Sequence, residues 1–207
     1  MRSINLLFLF VLAVMASCSS DDKEPLLTVK VDAVANLHAP QEGGRGEPIS
    51  GDFTKFSFET GQITTDDTNW DIAFRGTSII VNGGVSLGTN DEPARSGNAA
   101  IYIASGTMAS VNSVEESQFL QDSDNGYAIQ GGSDNGWYNY AGDPTHIISP
   151  IPGKILVIRT TSGTYAKVEI LSYYKDAPAN PDAFSDPDAY YTFNYVYQPN
   201  LGVSTFE

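Results

Sequence analysis

Cysteine is almost missing from this chain: of 207 residues, Cys18 alone carries a thiol. No disulfide framework can form within one copy, so stability has to come from packing. Histidine is nearly as scarce, with only His38 and His146, and methionine is confined to Met1, Met15 and Met108. Positive charge is thin as well. Eleven Lys and Arg face 25 Asp and Glu, a formal net charge of -14, which argues against nucleic acid or anionic lipid as a partner. Catalytic patterns are lacking too. There is no Gly-x-Ser-x-Gly elbow, and Gly153-Lys154 has neither the upstream Gly nor the following Ser/Thr of a phosphate loop. Asp122-Ser123-Asp124-Asn125-Gly126 places its glycine one position early for a calcium loop, with Ser133 where the bidentate Glu belongs. We expect no enzymatic activity.

Long apolar runs are also absent, save one at the start. Arg2 supplies a positive end, Ile4 to Val14 are almost wholly apolar, and Met15-Ala16-Ser17 offers small residues before Cys18. That order is a secretory signal, too short and wrongly flanked to span a bilayer. A thiol at this point is best explained as the acceptor of a lipid; the alternative is a plain cleaved signal. Residues 1–17 are therefore expected to be the lipoprotein signal and 18–27 a flexible tether opening on Ser19-Ser20-Asp21-Asp22-Lys23-Glu24. Losing residues 1–17 removes Arg2 and no acid, so the net charge moves from -14 to -15. Residues 28–207 suit one domain.

That remainder is rich in turn formers and aromatics, with 19 Gly, 11 Pro, 11 Tyr and 10 Phe. Val29 to Ala33 alternates as a strand. A Gly/Pro-rich loop from Ala39 to Gly51 leads to a second strand at Phe53 to Phe58. In Trp70 to Arg75 the alternation sets Trp70, Ile72 and Phe74 on one face and Asp71 and Arg75 on the other. Ser78 to Asn82 pairs back through a turn. Gly83-Gly84 and the polar run 89–98 read as an exposed, mobile loop. Ala99 to Ala104 is a short strand, and the Ser113/Glu116 capping-box spacing predicts a short helix over 114–120. Residues 121–152 form a long loop carrying Trp137, Tyr138 and Tyr140, and such loops are usually functional. Strands at 154–160 and 165–173 flank a hairpin turn, and Tyr190 to Gln198 alternates with Tyr191, Phe193, Tyr195 and Tyr197 on one face. The fold expected is all-β: a single-domain antiparallel sandwich-like meander with long loops and at most one or two short helices.

Three stretches carry a family resemblance: Trp70-Asp71-Ile72-Ala73-Phe74-Arg75-Gly76, the run from Pro150 to Lys175, and Tyr191 to Tyr197. Together they resemble the HmuY-like haem-binding lipoproteins of Bacteroidetes, over roughly residues 50 to 200. The Ser/Asp-rich tether is similar to the export signal that sends such lipoproteins to the cell surface, or else is an ordinary solvated linker. The resemblance implies an all-β haemophore, held to the outer membrane by lipid on Cys18. Its long loops would clamp one haem and pass it to an outer-membrane TonB-dependent haem receptor. Two axial side chains, histidines or methionines, would hold the iron. Here these are His146 and Met108, with His38 a weaker candidate in its Gly/Pro-rich segment. Trp137, Tyr138 and Tyr140 would supply flat surface for the porphyrin, enclosed between loops 83–98 and 121–150. Arg75, Arg95 and Lys154 are the nearest counter-charges for propionates. The competing reading is a glycan-binding or adhesive surface module, with the aromatics of 137–140 stacking on sugar rings. A third is a subunit of a surface complex.

Overall fold

The computed structural model describes residues 25–44 and 46–207; the expected signal, Cys18 and the start of the tether lie outside the described residues. Thirteen strands follow in chain order: β1 (Lys30–His38), β2 (Glu42–Gly44), β3 (Glu47–Ser50), β4 (Thr54–Ser57), β5 (Gln62–Thr64), β6 (Ile72–Arg75) and β7 (Ser78–Val81). Then come β8 (Ala100–Ser105), β9 (Tyr138–Tyr140), β10 (Ile148–Pro150), β11 (Lys154–Arg159), β12 (Tyr165–Ser172) and β13 (Tyr190–Gln198). A five-stranded sheet, ordered β1-β13-β12-β11-β8, faces a four-stranded sheet ordered β5-β4-β6-β7. All ladders between these strands are antiparallel. The architecture is the expected all-β sandwich.

Alternation explains the assembly. Leu156 and Ile158 of β11, Val168 of β12 and Phe193 of β13 turn one way and meet Phe56, Ile72 and Phe74 of the smaller sheet. Each such side chain taken from water is worth about 2 kcal/mol. Ile155, Val157, Tyr165 and Val196 turn the other way into a second cluster on the outer face, covered by Val111 and Phe206. The C-terminal residues close that cover, with Val114 N–H donating to Ser204 and Phe206 N–H to Asn112.

Three local expectations change. Trp70 does not share a face with Ile72 and Phe74; β6 begins only at Ile72, and Trp70 packs with Phe53, Ala73 and Ile80 on the far side of the smaller sheet. Asp71 and Arg75 are both buried, 4% and 3% exposed. The Asp71 carboxylate accepts N–H bonds from Phe58 (2.8 Å) and from Thr161 (2.8 Å) in the β11–β12 turn, so it ties the two sheets together. The helix expected over 114–120 shrinks to one 3-10 turn, Glu116–Gln118, without a side-chain cap. Glu116 instead accepts a hydrogen bond from the Tyr165 hydroxyl, so the capping box gives way to a tertiary contact. The long segment 121–152 is partly ordered by the β9–β10 hairpin.

Candidate functional site

The two long loops meet and are welded. Asp122, 2% exposed, accepts N–H bonds from Val81 (3.1 Å) and Ala128 (2.9 Å). Arg95 adds two more, at 3.1 and 2.8 Å, and also pairs with Glu92 at 2.6 Å. Burial raises the Asp122 carboxyl above its usual range, and the amides and guanidinium pull it part of the way back. The expectation of a mobile loop from Gly83-Gly84 is corrected by close backbone approach: a Cβ on Gly83 would lie 2.0 Å from the Ala99 carbonyl oxygen, and one on Gly84 1.9 Å from that of Asp122. Where Leu87 meets residues 120–131 there is an open cavity of about 580 Å³. Its lining includes Leu120, Gln121, Tyr127 and Gln130 but no histidine or methionine.

Two of the three expected counter-charges are spent inside the fold. Arg95 is the buried ion pair just described. Arg75 donates to the carbonyls of Gly51 (3.0 Å) and Asn90 (2.5 Å) and to the Thr89 hydroxyl (2.9 Å), and lies 4.1 Å over the Phe53 ring. Lys154 remains half-buried at the start of β11.

Burial also redistributes the aromatic run. Trp137 is 2% exposed, donates its indole N–H to the Thr77 carbonyl at 3.0 Å, and packs against Tyr138, Tyr173 and Tyr191. Tyr138 is 8% exposed, and its hydroxyl accepts the Gly132 N–H at 3.1 Å. Trp137 and Tyr138 are therefore core residues, with no ring face free for a porphyrin or a sugar. Position along β9 is the cause: burial falls from Tyr138 through half-buried Asn139 to Tyr140, 43% exposed, as the strand runs out from the core.

Tyr140 and His146 come together. The β9–β10 turn folds back so that the Tyr140 hydroxyl is hydrogen-bonded to Nδ1 of His146. The imidazole side chain is 40% exposed, and its Nε2 lies 3.8 Å from the Asp143 carboxylate. Phe184, 73% exposed on the loop before β13, presents its ring edge-on to the imidazole at 5.6 Å. His146 has φ +54 and its N–H donates to Gly142 at 2.7 Å. Phe184 was not legible in advance, because its loop looked like connecting sequence.

Met108 is not brought to His146. It packs against the outer cluster of the five-stranded sheet, whereas Ile147 and Ile148, next to His146, pack against the inner one. Lys167 fixes this placement by donating to the carbonyls of Met108 (2.5 Å) and Val111 (2.8 Å). His38 stacks on Tyr190, with ring centroids 4.2 Å apart.

Comparison with known proteins places this geometry. The apo HmuY analog of Tannerella forsythia shares the fold, with a TM-score of 0.52 at 12% identity, covering 84% of this chain and 99% of that one. A Bacteroides vulgatus protein described as HmuY-like and haem-binding gives 0.48 at 15% identity, over 84% and 93%. A Bacteroides fragilis protein described as a lipoprotein gives 0.47 at 17%, over 83% and 92%. Among curated proteins none matches this chain. The family model for HmuY protein matches residues 50–195, from β3 through most of β13 and including the whole His146 hairpin. The chain belongs to the HmuY family.

Proposed function

We propose that this chain is a haem-binding lipoprotein of the cell surface, anchored through acyl chains on Cys18, that captures haem and passes it to an outer-membrane TonB-dependent receptor. The observation that carries the reading is the exposed His146 imidazole, with one nitrogen held and aromatic rings beside it, in a chain of the HmuY family. With Nδ1–H donating to the Tyr140 oxygen, the neutral ring keeps the Nε2 lone pair for iron. Such a partner on the other nitrogen fixes the ring and the tautomer of a metal-binding histidine. Tyr140 and Phe184 would give apolar contact to a porphyrin, and haem bound there would take its axial nitrogen from His146.

Met108 is not part of this reading, because its turn is fastened by Lys167 on the other side of the sheet. The protein therefore supplies one axial ligand. The acidic loop around Phe184, with Asp182, Asp186 and Asp188, favours an orientation in which the propionates point to solvent.

Absorbance titration with haemin tests the reading. A Soret shift saturating at one haem per chain is expected, at least about tenfold weaker in His146→Ala and unchanged in Met108→Ala. His146→Gly, which accepts φ +54 without strain, guards against misfolding as the cause. Binding that ignores both His146 variants would refute the site.

A further inference from the structure

The fold treats its sheet edges unequally. The free edge of β8 is covered where Ile101 exchanges hydrogen bonds with Leu120, at 2.9 and 3.1 Å. Beyond β7, the Asp122 carboxylate accepts the Val81 N–H and Asp122 bridges to Gly84. The third edge, β5, is three residues long. β1 is different: nine residues long and paired only with β13. Among the described residues no strand meets its other edge.

The side chains along that edge are not protective either. Natural edges are usually blunted by prolines, bulges or inward-pointing charges, and the one bulge of β1 lies at its far end, between Val34 and Leu37, clear of residues 29–33. The outward-turned positions of β1 and its lead-in carry Leu27, Val29, Val31 and Ala33, with Val31 77% and Leu27 65% exposed. Lys30 and Asp32 lie on the opposite face, across from Tyr197 and Tyr195 of β13. They flank Val31 symmetrically and carry opposite charges.

We propose that the free edge of β1 is a self-association surface, and that its partner is a second copy of this chain. In an antiparallel pair centred on Val31, that residue faces its own counterpart, and each Lys30 stands across from the other copy's Asp32. The apolar stripe of one copy continues into that of the other. A two-fold axis requires such self-complementarity, and a +/- pair spaced two residues apart provides it. The two five-stranded sheets become one continuous ten-stranded sheet. The Ala33 N–H, now met by the Asp32 carboxylate at 2.8 Å, becomes available when that carboxylate turns to Lys30 of the second copy. The surface is independent of the His146 hairpin.

Sedimentation velocity over a concentration series tests it, on the full chain carrying Cys18→Ser in density-matched mild detergent. A monomer–dimer equilibrium is expected. Val31→Lys sets two like charges directly opposite each other and should weaken it at least about tenfold. Lys30→Asp alone and Asp32→Lys alone should each weaken it, and the double swap should restore it, since every cross-strand pair is again opposite in sign. Circular dichroism melts check that the variants remain folded. A chain monomeric at every concentration, a dimer indifferent to Val31→Lys, or a double swap that rescues nothing would overturn the proposal.

Discussion

Asp122→Ala should be among the most damaging single changes outside the apolar core. The carboxylate accepts four hydrogen bonds, two from backbone amides and two from Arg95. Its own side chain is fully shielded, and that of Arg95 is 1% exposed. Hydrogen bonds to a charged group contribute about 1.5–3 kcal/mol each, but they are not additive, and Arg95 would retain Glu92. The fitting comparison is a buried ion pair robbed of one partner, which costs about 3–5 kcal/mol. Against a typical domain stability of about 5–15 kcal/mol, that is a large fraction. Urea denaturation followed by tryptophan fluorescence is a suitable assay, because Trp70 lies 5.8 Å from the Arg95 guanidinium and Trp137 is in the core. Leu120→Ala, at a position 58% exposed, serves as the control and should change stability by under about 0.5 kcal/mol. Adding Arg95→Met to Asp122→Ala should cost less than the sum of the two single changes, since both remove the same ion pair. A loss below about 1 kcal/mol, or strict additivity in the double variant, would show that the loops are not joined through this pair.

Further outcomes follow from the same structure. Gly84→Ala, with φ +82 and its Cβ 1.9 Å from a carbonyl oxygen, should lower the urea midpoint by more than a Gly88→Ala control, where φ is +72 but nothing lies within 4 Å. Burial pushes the Asp71 carboxyl above its usual 3.8, against the pull of the Thr161 and Phe58 amides. A raised acid stabilises the fold below its unfolded value, and that contribution is lost as pH climbs through the folded value. The stability of the wild type relative to Asp71→Asn should therefore fall as pH rises upward from 3.8, and urea unfolding of both proteins across that range checks the sign. Lys167→Met should release the Met108 turn and raise amide exchange at 106–111, read by hydrogen–deuterium exchange, while leaving haemin binding intact.

The β12 and β13 strands are readable because their faces differ, Ala166, Val168 and Ile170 against Lys167 and Glu169, and Tyr191, Phe193 and Tyr195 against Thr192 and Asn194. β11 shows instead as a continuous apolar run from Ile155 to Ile158, buried on both faces. Trp70 departs from its expected face because it lies two residues ahead of β6, where alternation no longer holds and the ring packs on the other side. The Trp137-Tyr138-Tyr140 run looked like one aromatic surface. Only pairing with β10 reveals that it opens on a strand whose Tyr138 end is buried and whose Tyr140 end reaches the surface. His146 stood out by scarcity alone, but its partners Tyr140 and Phe184 come from segments brought together by the fold. The same holds for Asp122 and Arg95, 27 residues apart, which read as loop charges until burial makes them a weld. Met108 shows the limit of elimination: being the sole methionine beyond Met15 says nothing about which face of a sheet it joins.

The central claim is that one histidine of this chain holds the iron. Electron paramagnetic resonance of the ferric haem complex reports this directly, because a single protein nitrogen leaves the iron high-spin, whereas two strong protein ligands make it low-spin. The account predicts a high-spin signal in the wild type and in Met108→Ala, and loss of that bound species in His146→Gly. A low-spin signal abolished by Met108→Ala would contradict it.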